Sequence, residues 1–151
     1  MDQKKYLAIL DRAIESEIEA SRFYGRVAEM TTNDYLKEMF TIFSREEQKH
    51  RSILEGFRGD PATAIHFKKV ADFGISETMT EPTLSTDMQP ADAIALAMKK
   101  EEAAMRQYTQ LADACDDGAQ RDVFLELAAM EREHKTKMEA AFVDIGYPEV
   151  W

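Results

Sequence analysis

Two stretches of the chain carry one chemical pattern. Glu47-Gln48-Lys49-His50 is a Glu-x-x-His, and so is Glu131-Arg132-Glu133-His134. On a helix this i, i+3 spacing puts a carboxylate and an imidazole on one face, one turn apart. The copies lie 84 residues apart, and 30 residues before each stands another glutamate, Glu17 and Glu101. Seven residues after each of those comes a tyrosine, Tyr24 and Tyr108. Four carboxylates and two imidazoles repeated in this way point to metal ligation. A lone Glu-x-x-His on a charged helix carries little weight, but two copies, each with its glutamate at the same distance, are specific. The spacing predicts two metal ions held among Glu17, Glu47, His50, Glu101, Glu131 and His134.

Charge supports the same reading. A carboxylate taken into a core without a counter-charge costs several kcal/mol, so four together need cations. Lysines and arginines fall off the inward faces of the expected helices, whereas two divalent cations cancel four carboxylates. The donor set is oxygen-rich with borderline nitrogen, which suits iron or manganese rather than zinc in a sulfur site. The tyrosines stand about 10 Å along the helix axis from the nearer glutamate. They read either as core packing or as groups that orient a carboxylate on a facing helix.

Four helices must position these groups. Residues 2–57 and 91–144 contain no proline, and between them fall Gly59, Pro61, Gly74, Pro82 and Pro90. That distribution predicts an all-α chain of two helical blocks joined by an irregular connection. The first helix is expected over 3–30, with Leu7, Leu10, Ile14, Glu17, Ser21, Tyr24 and Ala28 in steps of three and four. The second, over 34–57, has Leu36, Phe40, Phe43, Glu47, His50, Leu54 and Phe57 inward, and Asn33 or a threonine caps it. A crossover fills 58–89, far longer than the usual bundle loop and long enough to run the bundle's length. It holds a candidate short helix at 62–73 and His66, which reads as solvent-facing. The third helix starts at Pro90 and runs to 114, with Ala91, Ile94, Met98, Glu101, Met105, Tyr108 and Ala112 inward. The fourth spans 119–143, with Phe124, Leu127, Glu131, His134, Met138 and Ala141 inward. Cys115 reads as inert packing beside the turn, and Trp151 as a residue that packs on the bundle or on a partner.

An offset of 84 also pairs Ala13 with Ala97, Ala20 with Ala104, Arg22 with Arg106, Phe40 with Phe124 and Glu55 with Glu139. The chain is therefore a repeated helical hairpin. The midpoints of Glu17–Glu47 and Glu101–Glu131 are residues 32 and 116, the two expected turns. Each hairpin, folded antiparallel, brings its glutamate level with its Glu-x-x-His. The expected architecture is one domain, a four-helix bundle of two hairpins linked by the long crossover.

Bulk properties narrow the function. A hydrophobic content of 44% and a charged content of 32% suit a globular domain. The net charge of −10 argues against nucleic acid, whose phosphates it would repel. No apolar run is long enough to span a membrane, and the first residues lack the apolar core of a signal peptide, so a cytoplasmic location is expected. One cysteine excludes an internal disulfide and an all-cysteine metal site.

The four motifs together, Glu17-x6-Tyr24, Glu47-x-x-His50, Glu101-x6-Tyr108 and Glu131-x-x-His134, resemble the rubrerythrin branch of the ferritin-like superfamily. The resemblance covers both helical blocks. It implies a ferritin-like bundle with a non-haem di-iron centre, in which Glu47 and Glu131 bridge two irons, Glu17 and Glu101 are terminal, and His50 and His134 bind one metal each. Manganese or a mixed pair is the alternative. It implies an oxidoreductase that reduces hydrogen peroxide or O2, with a homodimer as the expected assembly. Two features depart from the family. Ala104 stands where rubrerythrins carry a further glutamate, which leaves a symmetrical site closer to that of bacterioferritin. The Cys-x-x-Cys pairs of a rubredoxin domain are also missing, so electrons are expected from a separate, rubredoxin-type donor. The competing readings are a ferroxidase that stores or delivers iron, and a bundle whose metal serves structure or partner binding.

Overall fold

In the computed structural model, four long helices follow one another: α1 (Gln3–Met30), α2 (Asp34–Gly59), α3 (Pro90–Asp113) and α4 (Gly118–Gly146). The structure describes residues 1–60, 72, 74–78, 81 and 89–146. A 3₁₀ turn at Ser76–Thr78 belongs to the crossover. The candidate helix at 62–73, His66 and Trp151 lie outside the described residues, apart from Asp72. Among the described residues, no helix is long and apolar enough to cross a membrane. Two compact units can be distinguished: Met1–Ile65 with Cys115–Val123, and His66–Ala114 with Phe124–Trp151.

The first unit is built on the α1–α2 hairpin. Each helix starts on a side-chain cap: the Asp2 carboxylate accepts the Lys5 N–H at 2.8 Å, and the Asn33 carbonyl accepts the Leu36 N–H at 2.9 Å. The second helix persists to Gly59, past the expected Phe57, because Pro61 is the first residue that cannot continue it. The Asp60 N–H closes this last turn onto Gly56 O at 3.0 Å. Between the helices, Ser21 and Ser44 exchange hydrogen bonds reciprocally. Ser21 Oγ donates to Ser44 O at 3.1 Å, and Ser44 Oγ donates to Ser21 O at 2.9 Å. Small side chains here let the two backbones approach closely. Towards the open end of the hairpin, Arg58 pairs with Asp11, whose carboxyl that hydrogen bond holds below its ordinary value. Residue numbers rise along α1 as their partners' numbers fall along α2, which is the antiparallel register that midpoint symmetry requires.

Every residue expected inward on α2 is buried. On α1 the stripe starts at Tyr6 rather than Leu7, and Ile14 is half-buried. Tyr6 is buried near Cys115 and Asp117 of the turn between α3 and α4, and burial followed by those two acidic groups pushes its phenol up to about 12. Tyr24 sits in an aromatic cluster, edge-on to Phe40 at 5.7 Å and to Phe43 at 5.9 Å between ring centroids. That geometry favours the ring quadrupoles and fixes the ring in place.

The second unit holds α3 and most of α4. Residues Ala93–Met98 are buried all round, so the start of α3 is covered on more than one face, unlike a simple amphipathic helix. Ala91 and Met105, expected inward, are only half-buried. The described part of the crossover turns at Gly74, whose φ of +65° suits a residue without a Cβ. It then sets the N–H groups of Ile75 and Ser76 against Glu139 Oε2, at 2.7 and 2.9 Å. Ser76 Oγ donates to Glu102 Oε2 on α3 at 3.0 Å. Lys135 Nζ completes the cluster, 2.7 Å from Asp72 Oδ1, 2.9 Å from Glu77 Oε1 and 3.1 Å from Glu139 Oε2.

This cluster adds what the helical periodicity does not show. Lys135 lies off the inward face of α4, as expected of the basic residues, yet it is 0% exposed. Its face of α4 would meet solvent in a bare hairpin, and the crossover covers it. Burial lowers the affinity of its amine for a proton, but the hydrogen bonds that the ammonium donates to Asp72, Glu77 and Glu139 outweigh this and push its pKa up to about 12. For Asp72, burial raises the pKa, and the Lys135 ammonium and the Gly74 N–H more than reverse that, leaving the group below its ordinary value.

Phe40→Ala should destabilise the protein by about 3–5 kcal/mol in chemical denaturation, as truncation of a fully enclosed ring does. Leu125→Ala, at a side chain 48% exposed, should change stability by less than about 0.5 kcal/mol. Because the Asp72 pKa is lowered on folding, its stabilising contribution is present above the ordinary value of 3.8 and is lost as pH falls through the folded value. The stability gap between wild type and Asp72→Asn should therefore be constant at neutral pH and close in acid, as read by urea titrations at a series of pH values.

Candidate metal centre

All six donor residues are buried: Glu17, Glu47, His50, Glu101, Glu131 and His134 are between 1% and 6% exposed. Each hairpin gathers its own set. In α1–α2, His50 Nδ1 lies 3.7 Å from Glu17 Oε2 and 3.6 Å from Glu47 Oε2. The first contact spans the hairpin, and the second is the i, i+3 pair within α2. Glu17 therefore does reach the level of the Glu-x-x-His, as the midpoint argument requires. In α3–α4, His134 Nδ1 lies 3.3 Å from Glu101 Oε1, again across two helices. Glu131 is buried on α4 three residues before His134, on the same helical face.

Local structure explains this placement. Ser21 follows Glu17 by one turn and Ser44 precedes Glu47 by three residues. Their reciprocal hydrogen bonds thus set the spacing and register of α1 and α2 next to the donors. Gln48 Nε2 adds a donor to Ser21 Oγ at 3.3 Å. In the second unit, the neighbours of the donors play the comparable part. Glu102 follows Glu101, and Lys135 follows His134. Lys99 and Arg106 hold Glu102 at 2.8 and 2.9 Å. Burial raises the Glu102 pKa, but Lys99, Ser76 and Arg106 together bring it below its ordinary value.

The donor chemistry fits a metal. In each hairpin a protonated imidazole can balance one of the two carboxylates and would leave half of the charge, whereas one divalent cation balances all of it. Among the described residues the one fully buried ammonium, Lys135, is already engaged by Asp72, Glu77 and Glu139. Oxygen and imidazole donors without sulfur suit iron or manganese. Cys115 stays outside this chemistry: its thiol donates to Gln120 Oε1 at 3.4 Å beside the turn between α3 and α4.

Tyr24 and Tyr108 are both buried, and the Tyr24 ring is accounted for by aromatic packing. Sequence reasoning missed Glu102, Lys135, Glu139 and Ser76. The Lys135–Glu139 pair had an i, i+4 signal, but its repeat counterpart Arg51–Glu55 is half-exposed, at 2.8 Å on the surface of α2. Only the crossover distinguishes the two.

Comparison with known proteins agrees with this picture. A hypothetical protein from Pyrococcus furiosus aligns over 97% of this chain and 93% of its own, with 26% sequence identity and a TM-score of 0.62. The fold is accordingly an all-α, ferritin-like four-helix bundle. No curated protein matches the sequence significantly. The family model described as Rubrerythrin matches residues 8–142, a span that includes all six donors. Buried glutamates and histidines within such a domain fit a di-iron centre, and the chain belongs to the rubrerythrin family.

Proposed function

We propose that the two buried donor sets act together as one dinuclear iron site, and that the protein is an oxidoreductase reducing hydrogen peroxide or O2. The observation that carries this reading is the burial of four glutamates and two histidines at matching positions of a repeated hairpin. Glu17, Glu47 and His50 would hold metal from the first hairpin, and Glu101, Glu131 and His134 from the second. By resemblance to the family pattern, the glutamate of each Glu-x-x-His, Glu47 and Glu131, would be a ligand to both metals. Iron, when bound, supplies the electrons and the Lewis acidity that open an O–O bond.

The chain's own contribution is placement and exclusion of water. Paired helices deliver the donors from rigid elements, which holds ligands more closely than loops do. Burial removes bulk solvent and so strengthens every charge interaction in the site. Ala104, one turn after Glu101, offers a methyl group where a further carboxylate would break the symmetry of the two hairpins. Its presence favours two metals in matching environments. The electrons are proposed to come from a rubredoxin-type donor.

Two outcomes test this. Anaerobic Fe(II) titration should saturate at two irons per chain, and stopped-flow mixing should show faster oxidation of the loaded protein by peroxide than by O2. Faster oxidation by O2, with uptake continuing past two irons, would instead support a ferroxidase that stores or delivers iron. A second test uses the sign of a stability change. Glu47→Gln removes one crowded charge, so it should stabilise the metal-free protein by about 1 kcal/mol, a Tm rise of roughly 2–4 °C. The same substitution should diminish the Tm rise that Fe(II) or Mn(II) produces in wild type. Thermal melts with and without metal measure both effects.

A further inference from the structure

The repeat makes one asymmetry conspicuous. Residues 51 and 55 of the first hairpin correspond to residues 135 and 139 of the second. Arg51 and Glu55 form a surface pair with side chains 50% and 48% exposed. Lys135 and Glu139 are 0% exposed and joined to two further carboxylates and two backbone N–H groups from the crossover. The hydrogen-bonded chain continues through Ser76 Oγ to Glu102 on α3. A single turn of the crossover thus ties α4 to α3. It does so at the residues immediately after His134 and Glu101.

We propose that this clasp is a positioning device for Glu101 and His134, with Lys135 as its central residue. The proposal rests on the reading of those two residues as metal ligands. Adjacent residues on a helix point about 100° apart, so Lys135 and Glu102 project away from the donor face while sharing its backbone. Fixing them fixes the rotation and axial offset of α3 against α4, and with it the approach of His134 to Glu101. The first hairpin achieves the same end by another route, the reciprocal Ser21–Ser44 hydrogen bonds. At the corresponding positions of the second hairpin stand Met105 and Ala128, which offer no such bonds. The second hairpin thus takes from the crossover what the first obtains from its own helices. Loss of the clasp therefore loosens one half of the donor set and leaves the other intact.

The test is metal binding by the purified full chain, with Co(II) as probe, read by its ligand-field absorption spectrum and by titration. Lys135→Met should weaken binding about tenfold, the low end of what loss of a supporting partner costs a metal site, and should alter the band shape. Arg51→Met, the counterpart in the first hairpin, should leave both unchanged. Ser76→Ala removes only the bond to Glu102 and should shift affinity and spectrum in the same direction by less. It keeps the ammonium and all three of its carboxylates, so an ion captured at Asp72, Glu77 and Glu139 cannot produce that shift. It also carries the test if Lys135→Met does not fold, as judged by circular dichroism. Wild-type affinity and spectrum in a folded Lys135→Met, or in Ser76→Ala when it stands alone, would overturn the inference and leave the proposed function standing. Absence of binding by the wild-type chain would overturn the ligand reading itself and the inference with it.

Discussion

Enclosing two carboxylates in the core of each helical hairpin is the constraint on which the rest of the structure turns. Ionised groups of one sign cannot be packed together at low dielectric without a counter-charge. The chain nevertheless places Glu17, Glu47, Glu101 and Glu131 where at most 6% of any of them meets solvent. Each hairpin supplies one imidazole to its pair of glutamates, too little positive charge for the set. A core organised in this way is suited to completion by cations from outside, and its apolar frame must be strong enough to hold the donors before they arrive. The aromatic cluster of Tyr24, Phe40 and Phe43 provides such a frame beside the first donor set.

The two hairpins solve the same positioning problem with different chemistry. In the first, small side chains bring the helices close and hydroxyl groups bond directly to the facing backbone. In the second, charged side chains are neutralised locally and knitted together by a turn of the crossover. Glu102 and Lys135 show how a buried ion network can lie one residue from a metal-binding face without joining it: each has its own counter-charges on another side of the helix. The long connection thereby acquires a structural purpose that a simple link between hairpins would not require.

Much of this was legible in the sequence because the relevant signals are local and periodic. The inward face of the second helix was fully readable, since Leu36, Phe40, Phe43, Glu47, His50, Leu54 and Phe57 follow the helical period and all are buried. The pairing of Glu17 with Glu47 and His50 followed from the equal distances of Glu17 and Glu47 to Thr32 in the turn between α1 and α2. What escaped reading depends on contacts distant in sequence. Nothing in the i, i+4 spacing of Lys135 and Glu139 separates them from Arg51 and Glu55; burial comes from Asp72, Ile75, Ser76 and Glu77, more than 55 residues away along the chain. Tyr6, buried in place of Leu7, likewise feels Cys115 and Asp117 more than 100 residues away along the chain, an influence that no periodicity within α1 could reveal.

The central claim is that both donor sets serve one pair of metal ions. Its most direct measurement is anomalous X-ray scattering from crystals of the protein grown with Fe(II) under anaerobic conditions, or with Mn(II). The account predicts two anomalous peaks per chain, each within bonding distance of glutamate oxygens and one of the two histidines, His50 or His134. Peaks confined to Asp72, Glu77 and Glu139, or no peak among the six buried donors in a metal-saturated crystal, would contradict it.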